Sequence, residues 1–204
     1  MRTITKHWKD IYSKLGEIDV EYPNGNAMIR LTMRPREYAR RAEEIAKRLK
    51  VGDTILEIGC GYGGLAREIL KGISVSYTVV DNELMLVQTR KFLLDKVEYI
   101  TANNIETLYG RKFELFIAHA CLSEFPFEYR KYVLKDIMKN CQKVSVIDYD
   151  DNAKPNPSML ETGWEMLPAI TEHYLNKYFV IEKTRRKKCS APNFIFIGER
   201  KKEV

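Results

Sequence analysis

Two hydrophobic patterns alternate along most of the chain. Short runs of apolar and β-branched residues predict β-strands, and longer segments with an apolar residue every three or four positions predict amphipathic helices. The predicted strands are residues 54–58, 76–80, 97–101, 113–118, 143–148, 178–184 and 193–199. The predicted helices are residues 36–50, 63–71, 83–94, 127–140 and 158–175. From residue 54 onwards, strand and helix therefore follow one another in turn.

This alternation predicts an α/β architecture. Strands joined by helices form a mostly parallel sheet with helices on both faces. The last two strands are separated only by residues 185–192, which is too short for a parallel crossover, so we expect an antiparallel hairpin. We expect a single domain in which residues 1–50 form a helical cap and residues 51–204 form the core.

Composition narrows the class of protein. The 204 residues, 45% of them hydrophobic and 30% charged, are typical of one folded globular domain. No apolar stretch approaches the roughly 18 residues that a membrane helix needs. The first ten residues also lack the apolar core of a signal peptide. We therefore expect a cytoplasmic protein that does not engage a membrane.

Cysteine spacing and charge add little specific chemistry. Four cysteines are scattered singly through the chain: Cys60, Cys121, Cys141 and Cys189. They lack the spacing of a zinc site, and free thiols are expected. Part of the net charge of +6 comes from basic residues within 34–41 and 183–188. Such clusters are typical of solvated surface, and because no nucleic-acid motif accompanies them, nucleic acid is not the expected partner.

The segment 54–70 combines an apolar strand, a glycine-rich turn and an amphipathic helix. Gly59, Gly61 and Gly64 have the spacing with which a backbone can approach a nucleotide-like cofactor at the end of a strand. An ordinary glycine-rich turn between strand and helix can have the same spacing. The three glycines alone therefore do not identify a cofactor.

An acidic residue ends the second predicted strand. Asp81 follows Gly61 by about 20 residues, the separation at which an acid can accept hydrogen bonds from ribose hydroxyls. The alternative is that Asp81 or Asn82 caps the next helix, since an apolar series beginning at Leu84 follows them. Both roles are compatible with the sequence.

Taken together, the glycine turn, Asp81 and the closing hairpin resemble the class I S-adenosylmethionine-dependent methyltransferases. Glu57 fits the Glu/Asp-x-Gly-x-Gly form of that family's loop. The resemblance covers about residues 50–200. It implies a Rossmann-like, seven-stranded, mostly parallel sheet of order 3-2-1-4-5-7-6 with an antiparallel C-terminal hairpin.

The resemblance also implies how S-adenosylmethionine would be bound. The loop backbone is expected to face the methionyl carboxylate, and Glu57 is expected to help hold the amino group. Asn103 or Asn104 would accept a bond from the adenine amino group, although ordinary turn chemistry explains them as well. The implied cofactor-binding residues are Glu57, Gly59, Cys60, Gly61, Asp81, Asn82, Asn103 and Asn104.

A narrower resemblance is to the sugar O-methyltransferase family. Residues 56–67 read Leu-Glu-Ile-Gly-Cys-Gly-Tyr-Gly-Gly-Leu-Ala-Arg, similar to that family's Glu-Ile-Gly-Gly-Gly-Tyr-Gly-Gly-Leu-Ala. Residues 77–81 and 122–125 are similar to its Tyr-x-Ile-Ile-Asp and Ser-Glu-Met. Cys60 and Phe125 depart from the pattern. The resemblance implies a small hydroxylated acceptor such as a sugar.

A hydroxyl acceptor needs a base near its oxygen, and the candidates follow the fourth strand. His119 ends that strand, and Glu124 lies in the loop after it. The two could form a catalytic pair in which the acid orients the imidazole of the base. Alternatively, His119 bonds to backbone and Glu124 is the acid of a helix N-terminus. Asp148 and Tyr149 end the fifth strand and could reach the acceptor. No cluster of metal ligands is evident.

Two other functions fit parts of the same pattern. The glycine spacing and Asp81 also match the fingerprint of NAD-dependent oxidoreductases, although Glu57 and the hairpin favour the methyltransferase. A non-catalytic module that keeps the cofactor pocket is the other alternative.

Overall fold

We describe a computed structural model of the chain. It describes residues 35–93, 95, 97–119, 121–122, 127–149, 168–186 and 193–202. Most of the expected N-terminal cap, the start of the helix predicted at 158–175, Glu124 and Cys189 lie outside these residues.

Seven strands form one sheet among the described residues. The strands are β1 (Thr54–Ile58), β2 (Ser76–Asp81), β3 (Glu98–Thr101), β4 (Phe113–His119), β5 (Cys141–Tyr149), β6 (Phe179–Arg186) and β7 (Asn193–Arg200). The helices are α1 (Pro35–Ala46), α2 (Gly64–Gly72), α3 (Glu83–Leu93), α4 (Phe127–Tyr132) and α5 (Pro168–Tyr178). All seven strands and these helices overlap the segments that the hydrophobic pattern predicts.

The sheet has the order β3-β2-β1-β4-β5-β7-β6. Strand β2 pairs in parallel with β1 and β3, and β4 pairs in parallel with β5. Strand β7 pairs antiparallel with both β5 and β6. The predicted Rossmann-like class, strand order and closing hairpin are thus confirmed.

The described residues form two compact units, one up to Ile105 and one from Glu106 onwards. A single domain therefore stays a prediction. None of the helices in the described part of the chain is long and apolar enough to cross a membrane.

In the first unit, α1 packs against α2 through the face that the sequence predicts. Tyr38, Ala42 and Ile45 on this face are buried. The helix ends at Ala46, before the predicted residue 50, and the amide groups of Arg48 and Leu49 bond to carbonyls only three residues back. Gly52 then turns the chain into β1 with a φ of +88°.

In the second unit, the helix predicted over 127–140 is not uniform. After α4, residues Val133–Ile137 form a π-helical turn and Met138–Asn140 a 3₁₀ turn. The Arg200 guanidinium donates to the carbonyl groups of Lys139 and Cys141, at the point where this segment passes into β5. A cationic donor here bonds to one carbonyl group in the last turn of the helical segment and to one at the start of β5.

The sequence also misses a 3₁₀ helix after β3. Residues Ala102–Leu108 form it as two short turns that meet at a kink at Asn104, with Ile105 and Leu108 buried and Asn103 and Asn104 exposed. A segment this short has too few turns to produce a clear period in the hydrophobic pattern.

The turn between β1 and α2 depends on glycine. Gly59, Gly61 and Gly63 have φ values of 73°, 56° and 72°. Residues other than glycine adopt such positive φ values only at a cost in free energy. At Gly63 the space is closed as well, since an added Cβ would lie 2.8 Å from Thr89 Cγ2 and 2.8 Å from Leu93 Cδ1. Both methyl groups belong to buried residues of α3.

We expect Gly63→Ala to destabilise the fold more than Gly110→Ala. Gly110 has nearly the same φ, 73°, but nothing lies within 4 Å of an added Cβ there. The two variants share the cost of positive φ, and the overpacking at Gly63 adds about 1–3 kcal/mol. Urea denaturation measures the free energy of unfolding of each variant. Equal losses would show that the contact with α3 does not constrain the turn.

Candidate functional site

The glycine turn is tied to the end of β2 by Asp81. The Gly61 amide donates a hydrogen bond of 2.8 Å to Asp81 Oδ2. The other carboxylate oxygen accepts bonds from the backbone and side-chain amides of Asn82, at 2.7 and 2.9 Å. Asp81 thus contacts the loop directly, and its predicted bonds to ribose hydroxyls stay a prediction. Burial raises the pKa of its carboxyl to about 6, against the opposing effect of these hydrogen bonds.

The alternative capping role belongs to Asn82. Its Oδ1 accepts a bond of 3.1 Å from the Met85 amide at the start of α3, while its Nδ2 bonds to Asp81. The side chain is buried. Asn82 therefore caps α3 and also donates hydrogen bonds to the Asp81 carboxylate. Its predicted contact with the cofactor stays a prediction.

Glu57 lies at the same end of β1, in a buried position. It is 3% exposed, and the Tyr77 hydroxyl donates a bond of 2.9 Å to its Oε2. Burial raises the pKa of Glu57 to about 8, and the charge of Asp81 acts in the same direction. Ionisation of Glu57 is therefore costly in the free protein, and a cationic group bound beside it would favour the charged form.

Two further residues of the turn are buried. Cys60 Sγ lies 3.6 Å from the Gly61 carbonyl oxygen and 4.0 Å from Thr89 Oγ1. Tyr62 is 1% exposed, its hydroxyl has no hydrogen-bond partner among the described residues, and burial raises its pKa to about 12. Cys60 is therefore buried within the turn, and its predicted contact with the cofactor stays a prediction.

Asn103 and Asn104 lie at the start of the 3₁₀ helix that follows β3. Both side chains are exposed. Strand β3 pairs with β2 up to Thr101 and Asp81, so the asparagines come two and three residues after the partner of Asp81. This position is compatible with their predicted contact to adenine, which stays a prediction.

The candidate catalytic residues belong to the second unit. His119 ends β4 half-buried, and its Nε2 lies 3.0 Å from Ser145 Oγ, within hydrogen-bond distance. Asp148 is buried near the end of β5 and accepts a bond of 2.7 Å from the Thr171 hydroxyl. Glu124 lies outside the described residues, so the predicted His119–Glu124 pair stays a prediction.

Sequence reasoning missed the partners of these residues. It used Tyr77 as part of a strand and of the motif at residues 77–81 but gave its hydroxyl no partner, and it gave no role to Thr89 or Ser145. In the pairing of β1 with β2, Tyr77 lies opposite Ile55. Its hydroxyl nevertheless donates to Glu57, two residues further along β1. A single sequence shows neither the register nor the direction of these side chains.

Metal and thiol chemistry find little support in this part of the chain. Within the described ranges, no three His, Cys, Asp or Glu residues are grouped so that they could hold a metal ion. Cys60, Cys121 and Cys141 are buried free thiols. Burial raises the pKa of the Cys141 thiol to about 12, so it is not a reactive thiolate.

No protein-family model matches the chain, and no curated protein matches it. Solved structures of methyltransferases do match it. The N-methyltransferase NodS from Bradyrhizobium japonicum WM9, in complex with S-adenosylhomocysteine, is 14% identical, with a TM-score of 0.67 covering 94% of this chain and 99% of its own.

Two further matches cover almost the whole chain. The N-terminal domain of EvdMO1 with S-adenosylhomocysteine bound is 14% identical, with a TM-score of 0.65 covering 98% of this chain and 100% of its own. The same domain has been crystallised in the presence of S-adenosylhomocysteine and D-fucose.

The other is the magnesium protoporphyrin IX methyltransferase ChlM from Synechocystis PCC 6803 with bound S-adenosylmethionine. It is 14% identical, with a TM-score of 0.62 covering 95% of this chain and 89% of its own. At 14% identity the likeness to these three proteins concerns the shared architecture. The chain has the Rossmann-like fold of the class I S-adenosylmethionine-dependent methyltransferases.

Proposed function

We propose that the chain is an S-adenosylmethionine-dependent methyltransferase that methylates a hydroxyl group of a small molecule such as a sugar. The observation that carries the proposal is the bond between Asp81 and the Gly61 amide. It sets a carboxylate beside a glycine turn at the switch from strand to helix, where this type of fold binds nucleotide-like cofactors. Solved structures of the same fold hold S-adenosylmethionine or S-adenosylhomocysteine.

The residues of the first unit suit the parts of this donor. The backbone of Gly59, Cys60 and Gly61 would face the methionyl carboxylate, because it presents amide groups without side chains that block approach. Glu57 would hold the amino group, since a buried carboxyl beside a cation gains a partner for its charge. Asp81, supported by Asn82, would accept bonds from the ribose hydroxyls, and Asn103 or Asn104 would accept a bond from the adenine amino group.

The donor, when bound, supplies an activated methyl group. The protein has then to align the acceptor and remove a proton from its hydroxyl. His119 or Glu124 would be the base. The hydrogen bond between His119 and Ser145 favours His119, because a ring held at Nε2 has a fixed orientation.

The sugar acceptor rests on two observations. The sequence of residues 56–67 resembles the loop of sugar O-methyltransferases, and one structural neighbour has been crystallised in the presence of D-fucose. The second observation was made on that neighbour, and its extension to this chain is part of the proposal.

Calorimetric titration with S-adenosylhomocysteine and with NAD tests the cofactor. We expect the first to bind and NAD not to bind. Asp81→Asn should weaken the binding at least tenfold, about 1.4 kcal/mol, because one carboxylate oxygen becomes a donor that cannot accept from Gly61 or ribose. Asp53→Asn is the matched control, since Asp53 also accepts a bond from a backbone amide, that of Lys50, but before β1. Binding of NAD alone would contradict the proposal.

Turnover separates an enzyme from a cofactor-binding module. We expect transfer of a labelled methyl group from S-adenosylmethionine to at least one member of a panel of sugars, with His119→Gln reducing the rate at least tenfold. Binding of S-adenosylhomocysteine without transfer to any sugar or other metabolite would favour the non-catalytic module. Transfer that His119→Gln leaves unchanged would exclude His119 as the base.

The stability of the free protein should fall as pH rises. The pKa of Glu57 is raised from 4.5 to about 8 in the folded chain, so the folded state holds a proton that the unfolded state releases. The stability linked to the protonation of Glu57 is fully present below pH 4.5 and is lost progressively as the pH rises to about 8. Asp81 acts in the same direction, with its pKa raised from 3.8 to about 6.

Glu57→Gln removes one of these titrations while keeping an oxygen that can accept from Tyr77. We expect its free energy of unfolding, measured in urea at pH 5 and pH 8.5, to fall less between the two values than that of the natural chain. Parallel losses in the two proteins would show that Glu57 does not hold a proton in the folded state.

A further inference from the structure

Helix α3 packs beneath the glycine turn. Met85, Thr89 and Leu93 are spaced four residues apart and therefore share one face of the helix. The distance from this face to the turn can be measured from a Cβ atom added to each glycine of the turn. One at Gly61 would lie 4.0 Å from Met85 Cε, and one at Gly63 would lie 2.8 Å from both Thr89 and Leu93. All three helix residues are buried.

Thr89 does more than fill space on this face. Its hydroxyl oxygen lies 2.7 Å from the Gly61 carbonyl oxygen and 2.8 Å from the Met85 carbonyl oxygen. A threonine in a helix commonly bonds to the carbonyl four residues back, as Thr89 does with Met85. The contact with Gly61 is the additional one, so the two carbonyl oxygens share the single hydroxyl proton, and the contact joins the helix to the turn across 28 residues of sequence.

Gly61 is consequently held on both sides. Its amide group is bound by Asp81 at 2.8 Å, and its carbonyl group is bound by Thr89 at 2.7 Å. These two groups belong to successive peptide planes. Because the carbonyl and amide of a trans peptide point in opposite directions, the bond to Thr89 directs the Tyr62 amide away from α3. The two bonds thus fix the orientation of the backbone from Cys60 to Tyr62.

We propose that Thr89 is a positioning residue of the cofactor site, which orients the backbone of the glycine turn toward the donor without touching it. The proposal rests on the function proposed above. Without the hydroxyl, the Gly61 carbonyl loses its stronger partner and keeps the weak contact with the Cys60 thiol, so the peptide between Gly61 and Tyr62 is held less firmly. Binding then has to restore an orientation that the natural chain already has.

Three variants test the proposal by calorimetric titration with S-adenosylhomocysteine. Thr89→Val removes the hydroxyl at constant shape and should raise the Kd about tenfold, the effect of one buried hydrogen bond. Thr89→Ser keeps the hydroxyl and should stay within about threefold of the natural chain. Thr78→Val is the matched control, because Thr78 is also buried and its hydroxyl bonds to a side chain, that of Glu98, away from the turn.

Thermal denaturation of the same proteins separates positioning from stability. We expect both valine variants to lower the melting temperature, whereas only Thr89→Val raises the Kd. If Thr89→Val does not fold, Thr89→Ala removes the hydroxyl without placing a methyl group there, and the same increase in Kd is expected. An unchanged Kd for a folded variant without the hydroxyl, or an equal increase for Thr78→Val, would overturn the proposal. Failure of the natural chain to bind S-adenosylhomocysteine would instead overturn the proposed function, and this inference with it.

Discussion

The hydrogen bond from the Gly61 amide to the Asp81 carboxylate links the ends of β1 and β2, and most of the candidate site depends on it. The bond requires Gly61 to adopt a positive φ, which is why glycine stands there. It also requires the Asp81 side chain to face the turn, and the bonds from Asn82 hold it in that direction. Asn82 in turn is fixed because it caps α3. A turn, a strand end and a helix start thereby form one connected unit.

This unit carries two buried acids in a chain of net charge +6. Burial raises the pKa of both Glu57 and Asp81, so both acids cost stability in the free protein. Their nearest hydrogen-bond partners are a tyrosine hydroxyl and amide groups, none of which carries a charge. In the proposed function the missing positive charge arrives with the donor, whose amino group and sulfonium are both cationic. The cost to stability is then the counterpart of an attraction for the cofactor.

The regular part of this arrangement could be predicted from the sequence. Apolar runs such as residues 54–58 and 76–80 are buried on both sides in a parallel sheet, so each leaves a clear pattern. Asp81 could be identified because its spacing from the turn follows from the length of one strand–helix–strand unit. The partners of these residues could not, because a bond such as Thr89 to Gly61 depends on which way a helix faces.

Irregular elements escaped prediction for a related reason. The end of α1 is marked by amide bonds to carbonyls three residues back. The segment after Tyr132 changes helix type and ends where Arg200, some 60 positions later in the chain, bonds to it. Such bonds have no periodic signature in the sequence. These missed elements have little effect on the predicted sheet, and the strands of the sheet fix the position of the turn.

A crystal structure of the protein with S-adenosylhomocysteine tests the central claim most directly. The account predicts that the ribose hydroxyls bond to Asp81 while its Oδ2 still accepts from the Gly61 amide, with the methionyl group beside the turn and Glu57 near its amino group. A ligand bound elsewhere in the chain, or an Asp81 side chain turned away from Gly61 to reach the ribose, would contradict it.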